Sequence, residues 1–119
     1  MNADSILCNL IVLRSRNLDQ AQAFYSALGL SFARHAHGNG PVHLASESGG
    51  QVFEIYPLAN EAASTSSTRV GFCVPSVDKT YASLMSAGGT SVIPPKDSEW
   101  GRRAVVSDPD GHRIELTAK

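Results

Sequence analysis

The feature that most limits what this chain can fold into is an internal repeat. Residues 7–13, LCNLIVL, form an apolar, β-prone run. Asn17 follows as a candidate helix N-cap with Gln20 three residues on, and Leu18, Ala21, Phe24, Tyr25 and Leu28 then recur at helical spacing until Gly29. Three short strands are expected over 30–34, 42–47 and 51–56, separated by the turn-rich HGNGP and SGG. After the polar stretch ANEAASTSST the pattern restarts. A strand is expected over 69–74, Ser76 is the next N-cap, and Val77, Tyr81, Leu84 and Met85 carry a second helical run into Gly88-Gly89. Strands over 90–93, 102–107 and 112–117 complete the second half, the last hairpin turning through SDPDG. Ser76 stands 59 positions after Asn17, and Glu115 stands 61 after Glu54, so the halves are nearly in step.

The expected fold class is therefore α+β. Residues 1–58 make a first βαβββ module, 59–68 a polar linker and 69–119 a second module, together one domain. Strand parity gives the direction of each side chain. Phe53 and Ile55 share one face, while Glu54 lies opposite with Val52 and Tyr56; Ile114 and Leu116 share a face, leaving Arg113, Glu115 and Thr117 opposite. Val70, Phe72 and Val74 likewise separate from Arg69, Gly71 and Cys73. One face packs on helices and the other carries polar and small residues. The expectation is a curved, cup-like mixed sheet with helices outside and Glu54 and Glu115 lining a cleft.

Composition removes several function classes. Hydrophobic residues make up 42% and charged residues 18%, a globular balance, and the formal net charge of -1 gives no general attraction to nucleic acid or anionic lipid. No apolar stretch approaches the ~20 residues a membrane helix needs, and the opening MNADSILCNL lacks the basic start and long apolar segment of a signal peptide. A cytoplasmic location is expected. Cys8 and Cys73 make no disulfide framework and are expected to be buried, inert thiols.

The segments LRSRNLDQAQAFYSALGL, VFEIYPL and WGRRAVVSDPDGHRIEL resemble the vicinal oxygen chelate superfamily, which contains glyoxalase I, bleomycin- and fosfomycin-resistance proteins and extradiol dioxygenases. The resemblance covers nearly the whole chain. It implies a metal held, in the metal-using members, by one position in the first strand and one in the last strand of each half. Carried onto this sequence, those positions are Leu10, Glu54, Arg69 and Glu115. Leu10 cannot coordinate, and the guanidinium of Arg69 has no lone pair to offer. Two carboxylates alone make a poor zinc or nickel site. Arg69 is instead expected to fork between Glu54 and Glu115, supplying the positive charge itself.

Further candidates are His43, whose face is shared with Ala45 and Glu47; Tyr56, beside Glu54; and Trp100, in the loop before Gly101, where an aromatic would stack on a planar ligand. Each also reads as an ordinary structural residue. His35 and His37 share one face of a strand end, a spacing compatible with a weak metal site or with plain surface polarity, and His112 at a turn exit is expected to be solvated.

What the resemblance implies is a small-molecule binding protein of the bleomycin-resistance type, without the metal. The competing expectation is an enzyme, lactoylglutathione-lyase-like or dioxygenase-like, using zinc, nickel, iron or manganese to stabilise an enolate. For that enzyme Glu54 and Glu115 are the expected ligands. A third reading is a degenerate structural partner with no ligand. Relatives of this length pair as homodimers, so a homodimer is expected, with no nucleic-acid or membrane partner.

Overall fold

The computed structural model describes residues 5–119; the first four residues of the first module, and of the N-terminal stretch read for a leader, lie outside them. The first half runs β1 (Leu10–Ser15), α1 (Leu18–Leu28), β2 (Ala33–His35), β3 (His43–Ser48) and β4 (Gln51–Pro57). A 3-10 turn at Glu61–Ala63 lies in the connection. The second half runs β5 (Arg69–Val74), α2 (Val77–Ser86), β6 (Thr90–Ser98), β7 (Gly101–Ser107) and β8 (Arg113–Ala118). The two halves form two four-stranded mixed sheets, ordered β1-β4-β3-β2 and β5-β8-β7-β6. In each, the first strand is an edge that pairs parallel with the last, and the remaining pairs are antiparallel.

Both helices start where the sequence places them. The Asn17 side chain accepts from the Gln20 N–H at 3.0 Å and Ser76 Oγ from the Lys79 N–H at 3.2 Å, each satisfying a donor the first turn cannot. Gly29, at φ 119°, closes α1 in the left-handed conformation. β6 continues to Ser98, well past residue 93, because its pairing with β7 absorbs irregularities between Ser91 and Lys96, skips Pro94 and Pro95, and resumes at Lys96.

The core-facing sides of both sheets and the helices share one apolar cluster. It joins Phe24, Tyr25, Leu44, Phe53 and Ile55 to Val70, Val74, Leu84, Val106, Ile114 and Leu116. Phe53 and Phe72 meet edge-to-face across it, with ring centroids 5.8 Å apart. Among the described residues the two sheets do not hydrogen-bond to one another, and the halves are held by this core and by a polar brace.

That brace is built from SDPDG and the residue after it. Asp108 accepts from Tyr25 Oη at 2.5 Å, from His112 Nδ1 at 2.8 Å and from the backbone N–H groups of Asp110 and His112. Asp110 accepts from Ser15 Oγ and the Arg16 N–H, tying the last hairpin of the second module to the end of β1. Thr65 completes the tie, accepting from the Arg14 N–H while its hydroxyl meets His112 Nε2 at 2.7 Å. His112 is thus buried, not solvated: carboxylate and hydroxyl take both its ring nitrogens. Burial, with Asp108 beside it, pushes the Tyr25 hydroxyl far above the usual phenol range.

Candidate functional site

Glu54 sits on β4, with Val12 of β1 and Ala45 of β3 as its cross-strand neighbours. By the pleat, Leu10, Val12 and Arg14, Val52, Glu54 and Tyr56, His43, Ala45 and Glu47, and Ala33 and His35 all share the face turned from the core. The His43 ring stacks on Tyr56, with centroids 4.1 Å apart and planes 7° from parallel. His37 and His35 extend the group at 5.3 and 6.1 Å from His43. The Arg14 guanidinium lies 5.1 Å from the Tyr56 ring centroid.

Within this group His43 is the unusual member. It is 1% exposed, and its Nε2 lies 3.4 Å from a Glu54 carboxylate oxygen. Yet Nε2 makes no hydrogen bond among the described residues, so the contact is proximity without alignment. A buried ring nitrogen beside a carboxylate, with no partner of its own, is costly unless something polar completes it. Along the same sheet a hollow of about 330 Å³ is lined by Ser31, Phe32, Ala33, His35, Ala45 and Glu47, without His43, Glu54 or Tyr56 in its wall.

Glu115 occupies the equivalent place on β8, between Gly71 of β5 and Val105 of β7. Arg103 Nε binds one carboxylate oxygen and Arg69 reaches the other at 3.4 Å. The fork expected of Arg69 therefore grips Glu115 and not Glu54. The physical reason is placement: the carboxylates stand on different sheets, and each draws its partner from its own. Arg103 is a site residue that sequence reasoning missed. Its parity with Glu115 follows only from the β7–β8 register, which pairs Arg103 with Thr117 and Val105 with Glu115.

Trp100 stands in the β6–β7 turn, 83% exposed, and contributes to neither cluster. Both cysteines are exposed, contrary to expectation: Cys73 lies on the open face of the edge strand β5, and Cys8 precedes β1.

Residues 8–116 match the family model of the Glyoxalase/Bleomycin resistance protein/Dioxygenase superfamily. The chain belongs to this family. It is 30% identical over 105 residues to an uncharacterized protein of Mycolicibacterium smegmatis, covering 88% of this chain and 87% of the relative. Among solved structures it resembles a glyoxalase-related enzyme from Fulvimarina pelagi at 22% identity and a TM-score of 0.75, over 95% of this chain and 88% of that one. It also resembles TnmS3, an antibiotic binding protein from Streptomyces sp. CB03234, at 23% identity and a TM-score of 0.73, over 98% of both chains. TioX from Micromonospora sp. ML1 is similar at 22% identity and a TM-score of 0.72, over 94% and 98%. These likenesses show a shared fold.

The donors at the family's metal position do not fit a divalent ion. Leu10 offers none, Arg69 repels a cation, and both oxygens of Glu115 are engaged by guanidinium groups. Among the described residues one grouping brings three ligand-type side chains within 4.8 Å of one another: Asp108, Asp110 and His112. Its carboxylate oxygens and ring nitrogens are already committed to the brace between modules. No helix among the described residues is long and apolar enough to cross a membrane.

Proposed function

We propose that this protein binds a small organic molecule on the open face around Glu54, His43 and Tyr56, by stacking and hydrogen bonding and without a divalent metal. The observation that carries this reading is His43 Nε2, a buried nitrogen with no hydrogen-bond partner, set between a carboxylate and an aromatic stack. A ligand group that enters beside Glu54, displaces the cover over Nε2 and bonds to it removes that cost, and the Tyr56 ring gives it a flat, polarisable wall. The family includes small-molecule binders, and TnmS3 is an antibiotic binding protein of the same fold. That likeness supports binding without naming the ligand.

The same reading includes a homodimer. Leu10 is 52% exposed and Val12 36% on the open face of the edge strand β1. A second copy would cover this apolar strip and complete the wall of the cleft.

The test is a Glu54→Gln variant screened with wild type against a small-molecule panel by thermal shift, with metal analysis of protein purified without an affinity tag. The expected result is an altered ligand profile with the melting temperature of the free protein nearly unchanged. Stoichiometric, tightly held metal, or a variant changed in stability alone, would overturn the reading.

A further inference from the structure

The second sheet carries an excess of positive charge that its own residues do not balance. Arg69, Arg103 and Arg113 line one cavity of about 180 Å³, with Val92, Ile93 and Val105 as its apolar walls. Glu115, on the same face of β8 as Arg113, is shared by Arg69 and Arg103. Arg113 makes no side-chain hydrogen bond or ion pair among the described residues, and the β5–β8 register sets it directly beside Arg69. Like charges side by side on adjacent strands repel; both side chains are exposed, so solvent screens much of that repulsion, and a bound anion would remove the rest. Gly71, the cross-strand neighbour of Glu115, adds room: a Cβ there would touch nothing within 4 Å.

We infer that this cavity receives the carboxylate of a small, partly apolar organic anion, held by Arg113 and by the outward edges of Arg69 and Arg103. The guanidinium fork matches a planar carboxylate in geometry, and the Val92–Ile93–Val105 wall suits an apolar body behind it. The space equals about six waters at ~30 Å³ each, which admits one ring or a short branched chain. The cavity lies on the second sheet, whereas Glu54, His43 and Tyr56 lie on the first, so the inference adds a second subsite and goes beyond the binding function proposed above. Glu115 is compensated twice over, by Arg69 and Arg103, which leaves the cavity positive.

Benzoate, benzamide and inorganic phosphate serve as probes on the full chain, with affinities read by calorimetry for wild type, Arg113→Gln and Glu115→Gln. Benzoate should bind at least about tenfold more tightly than its neutral isostere benzamide, and Arg113→Gln should weaken benzoate by about tenfold. Glu115→Gln should tighten benzoate, because it frees two guanidinium groups from an internal competitor. Equal binding of benzoate and benzamide, an unchanged Arg113→Gln, a weakened Glu115→Gln, or phosphate binding as tightly as benzoate would each overturn the inference. If benzoate fails while neutral or cationic molecules in the wider panel bind with Glu54 dependence, the anion site is wrong and the binding function stands. If nothing of any charge binds, both fall.

Discussion

Removing one oxygen, in Tyr25→Phe, tests the brace that joins the two modules. Tyr25 is 1% exposed, its ring sits 4.9 Å from Phe24 and 5.1 Å from Phe53, and its hydroxyl donates to Asp108 at 2.5 Å. Phenylalanine keeps every ring contact and loses only that bond. Asp108 retains its bonds from His112 and the backbone, so no bare carboxylate is left behind. A hydrogen bond to a charged group contributes about 1.5–3 kcal/mol, and that is the expected loss at neutral pH. The pH dependence is a second, independent readout. The folded phenol is held protonated by burial and by Asp108, whereas the unfolded one ionises near ~10. The stabilisation is therefore fully present below about pH 10 and lost as pH rises above it, by about 1.4 kcal/mol per unit. Wild type and variant should converge by about pH 11.5. Urea titrations followed by far-UV circular dichroism measure both effects; Trp100, already exposed when folded, is a poor reporter. A variant within about 0.5 kcal/mol of wild type at pH 7, or a difference that stays constant from pH 9 to 11.5, would refute the account of this brace.

Two further changes probe the fold. Asn17→Ala and Ser76→Ala should each cost about 1 kcal/mol in urea unfolding, because each leaves a first-turn N–H without its side-chain acceptor. Gly89→Ala should cost about 1–3 kcal/mol by the same assay. Its new Cβ would stand 2.7 Å from Val106 Cγ1 and 2.8 Å from the Leu84 carbonyl oxygen, and backbone cannot yield as a side chain can. An unaffected Gly89→Ala would mean the packing between α2 and the start of β6 is looser than described.

The anion subsite carries a consequence for the paired glutamates. Their positions correspond by repeat, but their surroundings have diverged: histidine and tyrosine around Glu54, arginines around Glu115. A ligand on the Glu115 face would be anionic, and one on the Glu54 face rich in hydrogen-bonding or aromatic groups.

By itself the sequence determined the repeat, the helix starts and the side of each strand on which a residue lies. These are local properties: a cap needs a side chain three residues from an N–H, and pleating alternates every second residue. They were enough to put Glu54, Glu115, Tyr56 and His43 on open faces. Tertiary structure alone decided which side chains meet. Arg103 reaches Glu115 through the β7–β8 register, His43 meets Tyr56 through the β3–β4 hairpin, and Arg69 is confined to one carboxylate because the halves form separate sheets. His112 is buried because Asp108 and Thr65, drawn from a turn and from the inter-module connection, converge on its ring. Register and sheet order are set by the whole chain collapsing on one core, and no short stretch of sequence carries that information.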